Sequence, residues 1–157
     1  MKSKTVDNSG DNVHKGQSQK ARIGQIGENL AVLFLVKHGY TVISRNYWKK
    51  WGEIDIVAQK VAKNLPDGEA GKVDLRFVEV KTVSRERFTA SDYEPEDNMH
   101  PWKRQRLRRV IETYILEKEE KGELDEEKTD WQVDAIAVYL DREGNELKIE
   151  WLEDIVL

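Results

Sequence analysis

Three residues on two short apolar runs could carry chemistry. Asp55 sits in Gly52-Glu53-Ile54-Asp55-Ile56-Val57, and Glu79 and Lys81 sit in Phe77-Val78-Glu79-Val80-Lys81. Strand side chains alternate between faces, which puts Glu53, Asp55 and Val57 on one face and Ile54 and Ile56 on the other. The same rule puts Phe77, Glu79 and Lys81 together and Val78 and Val80 opposite. If the two strands are neighbours, Asp55 and Glu79 lie side by side. Two adjacent, partly buried carboxylates repel each other and lose hydration, so a positive charge must sit with them. Lys81 is one candidate, and a divalent cation such as Mg²⁺, which takes hard oxygen ligands, is the other. Alternation alone leaves a plainer reading open, in which both acids face solvent on strand edges and Lys81 is a cross-strand partner.

The elements that would position these residues follow from periodicity. Ile23, Ile26, Gly27, Leu30, Ala31, Phe34 and Leu35 recur at helical spacing and predict an amphipathic helix over 19–38, stopped by Gly39. Glu28 flanks its apolar stripe. Gly24 and Gly27 inside the helix suggest close approach to a neighbour, since glycine there costs about 0.5–1 kcal/mol relative to alanine. Strands are expected over 40–45, 53–59 and 73–82, with residues 46–52 as a turn-like link and 63–71 as a loop. A second helix is expected over 101–121, with Pro101 in its first turn and a stripe of Leu107, Val110, Ile111, Tyr114 and Ile115. Strands at 131–140 and 146–152 complete the order α-β-β-β-α-β-β. Residues 1–18 are polar and aperiodic and read as a disordered tail preceding a single domain, 19–157. Residues 84–100 read as irregular.

Composition narrows the function classes. The chain has 157 residues, no cysteine and a net charge of −4. Absence of cysteine excludes disulfides, thiolate metal sites and cysteine nucleophiles, and fits a cytoplasmic protein. No segment is apolar enough to span a bilayer. Charge is unevenly spread. Residues 101–110 hold Lys103, Arg104, Arg106, Arg108 and Arg109 without an acid, whereas 117–130 is strongly acidic. Lys103 and Arg104 lie one turn before the apolar stripe, which lets them reach the sheet end, while Arg106 and Arg109 fall on an outer flank. They could contact a phosphate backbone, or simply form a solvated face with arginine stems on apolar surface. Trp48 and Trp51 could stack on an unpaired base or pack on the domain, and Trp102, Trp131 and Trp151 are expected at the core or its edge. Asp134, in a β-rich run, is expected to be a buried, hydrogen-bonded acid rather than a catalytic one. His14, His38 and His100 have no metal-ligand spacing.

Taken in order, Gly24-Gln25-Ile26-Gly27-Glu28-Asn29-Leu30-Ala31, Gly39-Tyr40, Arg45-Asn46, Gly52-Glu53-Ile54-Asp55-Ile56-Val57 and Phe77-Val78-Glu79-Val80-Lys81-Thr82 resemble the successive motifs of the YraN family. Lys103-x-x-Arg106-Leu107 and Asp134 resemble its later ones. That family is similar to Holliday-junction resolvases. The resemblance implies a restriction-endonuclease-like three-layer α/β/α fold around a mixed five-stranded sheet. It also implies a PD-(D/E)XK-type site of Glu28, Asp55, Glu79 and Lys81. In this reading Asp55, Glu79 and the carbonyl of Val80 hold Mg²⁺ or Mn²⁺, and Lys103, Arg104 and Arg106 bind nucleic acid, with DNA the expected substrate and a homodimer the expected assembly in junction cutters. The chain departs from the pattern in a longer 60–72 link, in Val83 following Thr82 where the family often has arginine, and in its acidic balance. Two other classes stay open: a non-catalytic nucleic-acid-binding module, and a protein-interaction domain using the acidic 117–130 segment.

Overall fold

The computed structural model describes residues 18–63, 71–84 and 100–157. The leader 1–17, and the greater part of the two irregular segments read at 63–71 and 84–100, lie outside these. Among the described residues the elements are α1 (Gln19–Lys37), β1 (Thr41–Lys49), β2 (Gly52–Val61), β3 (Val73–Ser84), α2 (Pro101–Glu120), β4 (Thr129–Leu140) and β5 (Glu146–Leu152), with a 3-10 turn at Glu126–Lys128 before β4. Ser18, read from sequence as the end of the tail, is instead the N-cap of α1. Its Oγ accepts from the Ala21 N–H at 3.2 Å and satisfies an orphan donor of the first turn.

The sheet runs β1-β2-β3-β4-β5. The first three strands form an antiparallel meander, β3 pairs parallel with β4, and β5 returns antiparallel. A parallel pair needs a crossover, and α2 is that crossover. The two helices cover opposite faces. Ala31 and Leu35 of α1 pack with Ile56, Ala58, Val78, Ile136 and Val138. Leu107, Val110, Ile111 and Tyr114 of α2 pack with Ile54, Val57, Leu75, Phe77 and Val133. The result is the expected three-layer α/β/α arrangement. Gly39, at φ +87°, ends α1 in the left-handed conformation, and the Tyr40 N–H returns to the Leu35 carbonyl at 3.1 Å.

Two expectations are corrected. Residues 46–52 are not a link: β1 runs to Lys49 and β2 starts at Gly52, so only Lys50 and Trp51 form the turn of a hairpin. Strict alternation also fails in β2, because Ile54 belongs to the α2-side core and Ile56 to the α1-side core. The break lies at Asp55. Opposite it, Asn46 stands at φ +51°, a left-handed conformation that asparagine tolerates better than most residues. Neighbouring Arg45 and Tyr47, two residues apart, accordingly reach opposite layers: Arg45 donates to Asn29 of α1, and Tyr47 packs against Tyr114 of α2.

A structural clasp joins β3, β4, β5 and the segment that follows β5. Asp134 is fully buried and accepts from Arg76 Nη1 at 2.9 Å, Trp151 Nε1 at 3.0 Å, Gln132 Nε2 at 2.8 Å and the Asp154 N–H at 2.9 Å. Arg76 also binds Asp74 and Glu153. These four hydrogen bonds match the expected buried, hydrogen-bonded acid.

Candidate metal and phosphate site

The site arises where β2 and β3 part. Their ladder of partners runs from Val61↔Val73 to Ile56↔Val78 and goes no further. Beyond it the Val80 N–H has no main-chain acceptor on β2. Asp55 supplies one instead: its Oδ2 accepts from Val80 N at 2.7 Å. A buried amide left unpaired would be destabilising by about 1–3 kcal/mol, so this bond fixes the carboxylate. Asp55 is only 8 % exposed.

Around it opens a cleft of about 510 Å³, lined among others by Glu28, Glu53, Asp55, Glu79, Lys81 and Lys103. All four residues expected to be catalytic therefore meet at one place. Burial, and then the negative charge of Glu79, push the Asp55 carboxyl up to about 8; the Val80 amide opposes this, and Glu28 and Glu53 add to it. Glu79 faces the α2 layer, where Lys103 Nζ meets its Oε1 at 2.7 Å. The lysine of α2 thus neutralises one carboxylate of the pair. Glu28 is held from β1, at 3.5 Å from Arg45 Nη2 and 3.4 Å from Asn46 Nδ2. Lys81 is exposed at the cleft wall and makes no ion pair among the described residues.

The close approach suspected from the α1 glycines is real at one of them. A Cβ on Gly27 would fall 1.8 Å from Thr82 Oγ1, so this glycine lets α1 lie directly on β3 next to Lys81. Gly24 has nothing within 4 Å of that position and instead forms part of the cleft wall.

The cationic residues of α2 separate. Lys103 lines the cleft, and Arg106 lines an adjoining groove and donates from Nε to the Trp51 carbonyl at 3.1 Å. Arg104 lines neither, and its Nε is buried without a hydrogen-bond partner among the described residues. Trp51 is half-buried with the Arg109 guanidinium 4.8 Å from its ring centre, whereas Trp48 is 68 % exposed. Trp102, expected at the core or its edge, is 58 % exposed. It lies in the first turn of α2, before the buried stripe begins at Leu107, so apolar character misled there. Glu53 was missed as a site residue; its only signal was its place beside Asp55 in a run of acids near a strand start.

Three acids of the 117–130 segment are paired within the domain. Glu117 binds Lys49 and Tyr47, Glu123 binds Lys118, and Asp125 caps the 3-10 turn through the Glu127 N–H. Of the rest, Glu120, Glu126, Glu127 and Asp130 are exposed.

Whether a cation fits can be judged from the donors. Among the described residues no three acidic or histidine side chains form a ready metal cage. What exists is one buried carboxylate with Oδ2 engaged by an amide, a second carboxylate nearby, and an open cleft. That set suits Mg²⁺ or Mn²⁺, which bind through one or two carboxylates and keep waters, and does not suit a closed structural zinc site.

A three-layer α/β/α protein of the restriction-endonuclease-like architecture, with acids and lysines gathered where two central strands part, is the class defined by this fold and cleft. Residues 27–138 match the family described as "Uncharacterised protein family UPF0102". The chain belongs to that family, the YraN family. UPF0102 proteins similar to it include one from Caldicellulosiruptor bescii, 30 % identical over 85 % of this chain and 95 % of the relative. Another, from Campylobacter hominis, is 32 % identical over 87 % and 95 %. A third, from Flavobacterium psychrophilum, is 36 % identical over 84 % and 91 %. Among the described residues no helix is long and apolar enough to cross a membrane.

Proposed function

We propose that this protein is a Mg²⁺- or Mn²⁺-dependent nuclease that hydrolyses phosphodiester bonds in branched or otherwise structured DNA in the cytoplasm. The observation that carries the reading is the meeting of Asp55 and Glu79 at the point where β2 and β3 separate, with Lys81 and Lys103 on the same cleft. A purely structural carboxylate pair has no reason to stand in an open cleft with its first member raised so far above its ordinary range.

Asp55 and Glu79, with the Val80 carbonyl, would hold the divalent ion, which supplies Lewis-acid polarisation of a phosphate and activation of water. The Val80 N–H fixes Asp55 Oδ2 and leaves its other oxygen to the ion. Lys81 sits where its ammonium can position the attacking water and offset charge on the phosphate. Lys103 neutralises Glu79, and with a divalent ion beside that carboxylate its ammonium would be available to a phosphate. Glu28, restrained by Arg45 and Asn46, orients water at the rim.

The test is cleavage of branched, flapped and single-stranded DNA with Mg²⁺ and Mn²⁺ by wild type, Glu79→Gln and Lys81→Ala. Cleavage by wild type and at least a hundredfold less by either variant is expected, about 2.7 kcal/mol of lost transition-state stabilisation. No cleavage by wild type, together with equal calorimetric Mn²⁺ binding by wild type and Asp55→Ala, overturns it.

A further inference from the structure

Beside the carboxylate cleft lies a second groove, of about 410 Å³, whose walls include Trp48, Lys50, Trp102 and Arg106. The two cavities share Glu53, Glu79 and Lys103, so they are continuous at their inner end. A single exposed tryptophan is unremarkable, but here two from separate elements line one groove. Trp48 lies near the end of β1 and Trp102 in the first turn of α2, so both rings stand on regular backbone. The Arg106 guanidinium lies 5.9 Å from the Trp102 ring centre, and its Nε is anchored on the Trp51 carbonyl. The outer wall is thus aromatic and cationic, while the acids are confined to the inner end facing the cleft.

We propose that this groove seats an unpaired nucleotide of the strand whose phosphate lies in the Asp55–Glu79 cleft. The proposal rests on the nuclease reading and adds what selects the substrate. Aromatic rings accept the π-face of any base, and a neighbouring Arg or Lys accepts the attached phosphate. Bases inside a duplex have both faces covered by their neighbours, so only a splayed or single-stranded base can be received. The groove therefore favours flaps, gaps and junction ends over continuous duplex, and does so without reading sequence.

The experiment measures binding in EDTA, where no metal-dependent step runs. Labelled single-stranded DNA, a flapped duplex, a blunt duplex and single-stranded RNA of matched length are titrated with wild type, Trp48→Ala, Trp102→Ala and Trp48→Phe. Each alanine variant is expected to weaken single-strand and flap binding by roughly 5- to 100-fold. Blunt-duplex binding should change by less than about twofold, and the phenylalanine variant should stay within about threefold of wild type, since it keeps a stacking ring. Tryptophan fluorescence should be quenched by single strands in wild type and less so in each alanine variant. The ratio of the DNA to the RNA arm identifies which strand is preferred. Both rings are exposed, so the variants should keep the wild-type melting temperature. Single-strand binding unchanged in both alanine variants, or lost equally on blunt duplex, overturns the proposal. So does failure of wild type to bind any unpaired strand. A protein that cuts DNA yet shows unchanged binding in these variants refutes the groove alone. One that loses single-strand binding in these variants but cuts nothing refutes the nuclease reading alone.

Discussion

Replacing Asp55 by asparagine keeps an acceptor for the Val80 N–H and removes a buried charge. The Asp55 carboxyl has an ordinary value of 3.8 and is pushed up to about 8 in the fold. An acid raised on folding binds its proton more tightly in the native state. Stability is therefore unaffected below pH 3.8, falls by about 1.4 kcal/mol per pH unit as pH rises between the two values, and levels off above 8. At pH 7 the accumulated loss is about 4 kcal/mol, which solvent relaxation in an open cleft reduces to about 2–4. Asp74, Glu117, Glu123 and Asp141 are held below their ordinary values, so the stability they add is already complete above pH 5 and is lost only on acidification. Tyr40, Tyr47 and Tyr114 are raised and titrate only in alkali. Thermal melts in EDTA from pH 5 to 8 should show a falling midpoint for wild type and a flatter one for Asp55→Asn. At pH 7 the variant should melt about 5–15 °C higher, at about 2–4 °C per kcal/mol for a chain of this size. Mn²⁺ or Mg²⁺ should raise the wild-type midpoint at pH 8 and leave the variant unmoved, because only the charged carboxylate gains from the ion. Equal midpoints in EDTA with equal pH slopes would refute the premise that Asp55 is an uncompensated buried acid.

Gly27→Ala should destabilise the domain by about 1–3 kcal/mol in urea unfolding, since its methyl collides with Thr82. Adding Thr82→Ala should recover part of that loss, because the nearest clashing atom is the Thr82 hydroxyl. Asp134→Ala leaves Arg76 without its buried partner and should cost about 3–5 kcal/mol, again read by urea unfolding, with metal binding in the cleft largely retained in the folded fraction. Lys103→Gln removes the cation that competes for Glu79; it should tighten Mn²⁺ binding by calorimetry while weakening DNA binding, and tighter binding of both would refute the exchange of partners.

Much of the architecture was legible because its cause is local. Helical spacing located α1 and α2, and Gly39 marked the end of the first. Asp55, Glu79 and Lys81 were visible as charged residues inside apolar runs, and Glu28 as an acid on the flank of a stripe. What alternation could not show is the parting of β2 and β3. It is a property of pairing between segments, as is the break of alternation at Asp55, opposite Asn46, which leaves Ile54 and Ile56 in opposite cores. The Asp55–Val80 bond exists because of that separation, and neither motif alone announces it. The ion pair of Lys103 with Glu79 joins residues far apart in sequence and depends on how α2 crosses the sheet. The exposure of Trp102 was legible, since the expected start of α2 at Pro101 already put it more than a turn before the stripe at Leu107; its apolar character outweighed that position in the reading.

The clasp around Asp134 has a consequence for how the chain is made. Its members come from β3, β4, β5 and the segment after it, so it cannot close until residue 154 has been synthesised. The hairpins of β1, β2 and β3 need only the first half of the chain and can pair during synthesis. In that interval β3 has an open edge over Val73–Ser84, the edge later taken by β4. An unpaired apolar strand edge is a template for association with another nascent copy. The long parallel pairing of β3 with β4, and not the site itself, therefore sets the step at which chaperone capture would matter most for the yield of folded protein.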